Sequence, residues 1–231
     1  MKKILRVNKS ELNEQAILEA LTKDGIVIFK NFYSPEEITA FNIEFDRVFV
    51  ENVGDISVLD AEDCSKDERI FHLERYSELI KEKFANNLFL TNIAAKYTNK
   101  PLKKVTMANR LEYTPEEIRN SGGGWHRDNH DLQFKAILYL SETTERNGNF
   151  QWITNSSQQL IGRPTPRTVS YDTRFNDSTI EDIILNEEKC ELVNIVGPPG
   201  TVVFADTSYI HRGNIIEEGM RKTLTQYYLS K

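Results

Sequence analysis

Two of the four histidines stand in company that could hold a metal ion. In Gly122-Gly123-Gly124-Trp125-His126-Arg127-Asp128, a histidine and a carboxylate occupy positions i and i+2. On an extended backbone such side chains point to the same side, so both can reach one ion. His211 lies far downstream, after GTVVFA (200–205) and before Arg212-Gly213-Asn214. Two imidazoles and one carboxylate on one face of an octahedron form the facial triad of non-haem Fe(II) oxygenases and leave three positions open. That chemistry needs the open positions, because a bidentate 2-oxo acid and dioxygen must bind beside the substrate. An HxD triplet alone is weak evidence, since many chains carry one by chance as surface decoration or as a satisfied hydrogen-bonded pair. Arg221 strengthens it. This residue begins the strand that follows His211, and a guanidinium there pairs through two prongs with the distal carboxylate of 2-oxoglutarate. A solvated surface arginine is the less favoured reading.

Other residues are placed around this centre by pattern. Asn109 falls on one face of the preceding strand with Val105, Met107 and Leu111. It is either a hydrogen-bond partner of 2-oxoglutarate or substrate, or a core amide satisfied by backbone. Trp152 and Gln151 sit on a core strand. The indole is first a packing group, and its ring is also a candidate wall for the 2-oxo acid. Tyr139 and Thr223 are candidate donors to the distal carboxylate. His130 follows His126 at a helical rather than a strand spacing, which suggests a loop histidine at the entrance, and His72 reads as structural or exposed. Arg163, Arg167 and Arg174 give their loop a positive character that an anionic substrate would explain, although solvated loop arginines are the commoner case. Gly122-Gly123-Gly124 has no Walker lysine after it, so a flap beside the metal motif is the better reading than a phosphate cradle.

The elements that must position these residues change character along the chain. Residues 11–23 carry Leu12, Ala16, Ile17, Ala20 and Leu21 at helical spacing, and Asp24-Gly25 ends that helix before the strand IVIF (26–29). Ser34-Pro35-Glu36-Glu37 reads as a capped start for a helix running to about Val50. Residues 51–68 read as an acidic loop, and 77–98 as one further helix closed by Asn99-Lys100-Pro101. From Lys103 onward alternation takes over. KVTMANRLEYT, LQFKAILYL (132–140), FQWIT (150–154), CELVNIV (190–196), GTVVFA and TLTQYYL (223–229) are strand candidates, punctuated by Asn147-Gly148 and Gly197-Pro198-Pro199-Gly200. Residues 172–189 suit a short helix or ordered loop. Helices first and strands afterwards predict an α+β fold, mainly β in its core, with a sandwich or jelly roll.

Taken together, four segments resemble the phytanoyl-CoA dioxygenase family of Fe(II)/2-oxoglutarate oxygenases. They are LTKDGIVIFKNFYSPEEITAF, WHRD, ILYLSETTERNGNFQWITNSSQ and GPPGTVVFADTSYIHRGNIIEEGMRKTLTQYYL, in the family's order and over most of the chain. The resemblance implies a double-stranded β-helix (jelly roll, cupin-like) with N-terminal helices packed on it and the metal near one open end. It implies His126, Asp128 and His211 as iron ligands and catalytic centre, with Arg221 as anchor for 2-oxoglutarate and dioxygen as the oxidant. Where the family often has Pro-Gly-Ser-His, this chain has Thr154-Asn155-Ser156-Ser157-Gln158, which leaves that loop's contacts open. Retention of Asp128 favours hydroxylation or desaturation over halogenation, because a small residue there would open a site for halide. Desaturation, cyclisation and epimerisation are alternatives within the class. A cupin-type metalloenzyme without 2-oxoglutarate, or a binding protein that keeps only the fold, are the rivals outside it.

Bulk properties set the frame. A chain of 231 residues, 39% hydrophobic, suits a single domain: a mainly helical part over 1–100, then a jelly-roll core over 101–231 with an insert near 162–189. The 29 basic residues against 35 acidic ones, net −6, argue against a duplex nucleic acid partner. No stretch approaches the ~20 apolar residues of a membrane span, and MKKILRVNKS lacks the apolar run of a secretory signal. Cys64 and Cys190 form no CxxC and read as reduced thiols of a cytoplasmic protein. The partner expected is a small polar molecule.

Overall fold

The computed structural model describes residues 4–11, 13–51, 56–58, 66–115, 124–129, 131–157, 173–187 and 190–230. Strand β1 (Leu5–Asn8) leads to helix α1 (Glu14–Asp24), whose first turn is capped by the Asn13 side chain accepting from the Ala16 amide. Gly25 ends α1 in the left-handed region at φ 71°, and strand β2 (Ile26–Lys30) follows. Helix α2 (Pro35–Val50) starts on a full capping box: Ser34 Oγ accepts from the Glu37 amide, and the Glu37 carboxylate accepts from the Ser34 amide.

Two expectations are corrected next. Residues 51–68 are not simply a loop: β3 (Ile56–Val58) pairs with β4 (Lys66–Phe71), which pairs with β5 (Leu102–Glu112). Glu68, one of the charges that suggested a loop, pairs across the ladder with Arg110, and residues 52–55 and 59–65 lie outside the described residues. Residues 77–98 are not one helix. A short α3 (Glu78–Ile80) runs into a π-helical turn (Lys81–Ala85), and the chain restarts as α4 (Leu88–Thr98). The break is local chemistry, because the Asn87 side chain accepts from the Leu90 amide and so caps a new helix.

The remaining elements are β6 (Trp125–His126), β7 (Phe134–Tyr139), β8 (Phe150–Ile153), β9 (Arg174–Phe175), α5 (Asp177–Asn186), β10 (Leu192–Ile195), β11 (Val202–Asp206), β12 (His211–Gly213) and β13 (Met220–Ser230). They form two sheets. The larger has the order β1-β2-β11-β7-β13-β5-β4-β3 and the smaller β10-β8-β12-β6-β9. Apart from the parallel pair β1–β2, the ladders are antiparallel.

One core joins α1, α2 and α4 to the outer face of the larger sheet, with Leu21, Phe41, Phe45 and Ile93 against Phe29, Phe134, Phe204 and Leu224. A second lies between the sheets, where Ile28, Tyr139 and Val203 meet Phe150, Trp152 and Tyr209. A third packs α5 behind the smaller sheet through Ile180, Ile153 and Ile210, and it buries Cys190. These layers leave a slot between the two sheets, which is where the chemistry-bearing residues converge. No described helix is long and apolar enough to cross a membrane.

Candidate metal centre

The two sheets bring the predicted ligands together through strand register. His211 on β12 lies directly opposite His126 on β6 and, on its other side, opposite Trp152 on β8. The backbone after His126 stays extended because the Arg127 amide donates to Thr173 O (2.7 Å) and the Asp128 amide to Thr207 O (2.9 Å). Arg127 accordingly points the other way. Its guanidinium donates to Ser156 O and lies 5.2 Å from the centre of the Phe175 ring. His126, Asp128 and His211 each offer a ligand atom, and these atoms lie within 4.8 Å of one another.

The tautomers are set from behind. Nδ1 of His126 is 2.8 Å from Gly124 O, and Nδ1 of His211 is 2.8 Å from Tyr209 O. A carbonyl can only accept, so each ring carries its proton on Nδ1 and turns the Nε2 lone pair inward. Those Nε2 atoms lie 3.6 and 3.7 Å from the Asp128 carboxylate. Burial drives the His211 pKa down to about 3 against the pull of Asp128, which keeps the ring neutral. Asp128 is half-buried, and the loss of solvent would raise its pKa. The ammonium of Lys135 outweighs that and holds it well below the usual carboxylate range.

A pocket of about 130 Å³ opens beside these ligands. The larger sheet contributes Met107, Asn109, Lys135, Arg221, Thr223 and Tyr227 to its wall, and the smaller one Phe150 and Gly213. Arg221 is buried there with 6% exposure. One arm of its guanidinium donates to Asn109 Oδ1 (2.9 Å) and the other to Gly148 O. Asn109 in turn donates to Asp67, which also pairs with Arg69 (2.6 Å).

The other predicted residues sort by position. Thr223 lines the pocket two residues along the strand from Arg221, on the same face. Tyr139 lines it too, but its hydroxyl donates to Ile195 O (2.9 Å) and so is not a donor to a carboxylate as expected. Trp152 is not a pocket wall. Its ring is fully buried, stacks on Tyr209 at 4.9 Å and backs the His211 ring at 6.3 Å. Gln151 does not face the pocket either, because residues alternate along β8. It accepts from Arg212 Nε (2.6 Å) and donates to Asn194 (2.8 Å). Arg174 lies on β9 opposite His126 and is exposed. His72 pairs with Glu74 at 3.2 Å, away from the site. His130, Arg163, Arg167, Gly122 and Gly123 lie outside the described residues.

Three contributors escaped the sequence reading. Lys135 is a charge inside an apolar strand, and its Nζ sits 2.6 Å from Asp128 Oδ2. Its position at the head of FKAILYL, facing the pocket by alternation with Ile137 and Tyr139, was the available signal. Ser156 lies in the loop that departs from Pro-Gly-Ser-His; its Oγ donates to Ile153 O (2.7 Å) and accepts from the Ile210 amide (2.8 Å), pinning the residue before His211. Gly25 supports the same point from below. A Cβ there would lie 2.5 Å from the Tyr209 ring, and Tyr209 supplies the carbonyl that orients His211.

Comparison with known proteins agrees with this geometry. The family model for phytanoyl-CoA dioxygenase (PhyH) matches residues 21–215. Among curated proteins nothing matches. Among solved structures, the chain is similar to SnoN, a non-haem α-ketoglutarate-dependent epimerase from nogalamycin biosynthesis. The TM-score is 0.72 at 12% identity, over 94% of this chain and 83% of that one. SnoN has also been crystallised with Fe3+, α-ketoglutarate and nogalamycin RO. The carbocyclase SnoK from the same biosynthesis matches at 0.68 and 14% identity, over 96% and 85% of the two chains. HygX from Streptomyces hygroscopicus, bound to nickel, 2-oxoglutarate and hygromycin B, matches at 0.64 and 15%, over 95% and 88%. At such identities the likeness is one of fold.

Proposed function

The chain belongs to the phytanoyl-CoA dioxygenase family, and on that premise we propose that it is an Fe(II)- and 2-oxoglutarate-dependent oxygenase whose metal is held by His126, Asp128 and His211. The observation that carries this reading is the pair of carbonyls, Gly124 O and Tyr209 O, that aim both Nε2 lone pairs at the space beside Asp128. Asp128 adds to the fit. Its buried Oδ2 lies 2.6 Å from the Lys135 ammonium, which favours the ionised form that a metal ion needs. Two imidazoles and one ionised carboxylate suit a divalent transition metal, and three ligands leave room for others.

Iron(II) with 2-oxoglutarate and dioxygen supplies an oxidant able to take hydrogen from a C–H bond, with release of succinate and carbon dioxide. The chain's own residues bind, orient and exclude water. Arg221 takes the distal carboxylate of 2-oxoglutarate, with its planar guanidinium held in place by Asn109 and Gly148 O. Thr223 stands beside it as a further donor. Trp152 and Tyr209 keep the His211 ring from turning, and the inter-sheet core keeps bulk water from its back. We read the two facing sheets as a double-stranded β-helix, the helices as its outer layer, and 1–231 as one domain.

Hydroxylation of a small polar metabolite or biosynthetic intermediate is the outcome we favour, on the retained Asp128. Epimerisation or ring closure is the second reading, supported by the activities of SnoN and SnoK. The test is turnover of 2-oxoglutarate to succinate by the Fe(II)-loaded protein under air. Succinate should form, slowly without substrate, and should vanish in His126→Ala. Equal succinate from the wild type and the variant would sink the proposal.

A further inference from the structure

Lys135 is buried, 8% exposed, and its ammonium faces the pocket from β7. It lies 2.6 Å from Asp128 Oδ2 and 4.5 Å from the centre of the Tyr227 ring. An ammonium has three N–H donors, and among the described residues no side chain other than Asp128 and the Tyr227 ring face engages them. A buried ammonium with spare donors is costly unless an acceptor comes to it.

Position along the sheet adds a second observation. Lys135 is paired in register with Tyr227, whereas Arg221 lies toward the other end of β13, beyond Thr225 and Thr223. All five residues line the pocket. The pocket therefore has one cation beside the triad and another at its far end, with small polar side chains between them.

Charge supplies the third. Of the cations on the pocket wall, Arg69 is matched by Asp67. Under the proposed function, Arg221 is matched by the distal carboxylate of 2-oxoglutarate. Lys135 has Asp128, whose charge is shared as soon as it ligates a metal ion. One positive charge then remains in a low-dielectric site, next to the position where an anion would ligate.

We propose that Lys135 binds the carboxylate at the reacting end of the 2-oxo acid, so that 2-oxoglutarate is held between two cations, Lys135 beside the triad and Arg221 at the far end. This inference rests on the proposed function and extends it to a residue that the triad does not include. It has a signature that a structural role lacks. The ammonium attracts the anionic co-substrate but repels a bare divalent cation, so its removal should move the two affinities in opposite directions.

The experiment uses Mn(II) in place of iron. Mn(II) affinity is measured by electron paramagnetic resonance, and calorimetry then gives the affinity of the Mn(II) protein for 2-oxoglutarate and for 2-oxobutyrate, which has the reacting end but no distal carboxylate. Lys135→Met should bind Mn(II) at least as tightly as the wild type, which also shows that the site is folded. It should bind both 2-oxo acids about 10–100-fold less tightly, the loss expected for one charge-assisted contact. Arg221→Met should weaken 2-oxoglutarate and spare 2-oxobutyrate. If Lys135→Met weakens Mn(II) along with the acids, Lys135 merely shapes Asp128 and the proposal falls. Unchanged affinity for the 2-oxo acids overturns it as well. Failure of the wild type to bind Mn(II) or 2-oxoglutarate is a different result, and it removes the proposed function itself.

Discussion

Arg221→Met tests whether the far end of the pocket is a carboxylate anchor. The guanidinium is buried, and burial lowers its pKa against the pull of Tyr139 and Asp67, yet a guanidinium keeps its proton at neutral pH. A buried two-pronged pair with a carboxylate is poorly screened, and each charge-assisted hydrogen bond contributes about 1.5–3 kcal/mol. Loss of two, partly offset by the apolar packing of Met, leaves a cost of about 3–4 kcal/mol. At 1.4 kcal/mol per decade, 2-oxoglutarate should bind the Mn(II)-loaded variant about 10²–10³-fold less tightly. Arg221→Lys keeps the charge without the fork and should lose about tenfold. The same change strands Asn109 Oδ1 and Gly148 O, so Arg221→Met should also melt at a lower temperature. Calorimetric titration separates the two effects, because Mn(II) affinity reports an intact triad. Wild-type affinity for 2-oxoglutarate in a folded Arg221→Met protein would refute the anchor.

Three other consequences follow from the geometry. Gly25→Ala places a Cβ against the Tyr209 ring at positive φ; it should cost at least about 1–2 kcal/mol in a denaturant titration and weaken Mn(II) binding, because Tyr209 O orients His211. Unchanged metal affinity would break that link. Ser156→Ala leaves the buried Ile210 amide without its acceptor and should destabilise by about 1–3 kcal/mol, and a change under 0.5 kcal/mol, roughly the scatter of neutral substitutions, would contradict it. The stability of the chelator-treated protein should be fullest above the unfolded histidine value of 6.5 and fall as pH drops toward 3, because folded His211 stays neutral down to about 3. Its share of the slope is at most about 1.4 kcal/mol per unit, and urea midpoints between pH 7 and 4 should fall less steeply in His211→Phe; an identical slope would refute the assignment.

What the sequence disclosed depended on whether a residue's role was local. The HxD spacing, the capping box at Ser34 and the alternation of β5 are short-range patterns, and they reappear as two side chains with neighbouring donor atoms, a helix start and a pocket wall. Arg221 was picked out because it opens the strand that follows the distal histidine, and it lines the pocket there. Roles set by a partner strand were hidden. Tyr139 lines the pocket, but its hydroxyl reaches across to Ile195 O on the facing sheet and is not left for a carboxylate; Trp152, read first as a packing group, packs behind His211. Lys135 gave the opposite error, a charge passed over because only the crossing of the two sheets places it against Asp128. The end of the acidic stretch before β5 was misread for the same reason, since Glu68 belongs to β4 and pairs across the ladder with Arg110.

The central claim is a metal and a 2-oxo acid held together by this pocket. The direct measurement is anaerobic titration of the Fe(II)-loaded protein with 2-oxoglutarate, following the weak visible charge-transfer band of the chelate. The wild type should develop the band with saturation, and Asp128→Ala and Arg221→Met should weaken it. A protein that holds stoichiometric iron and develops no band would contradict the account.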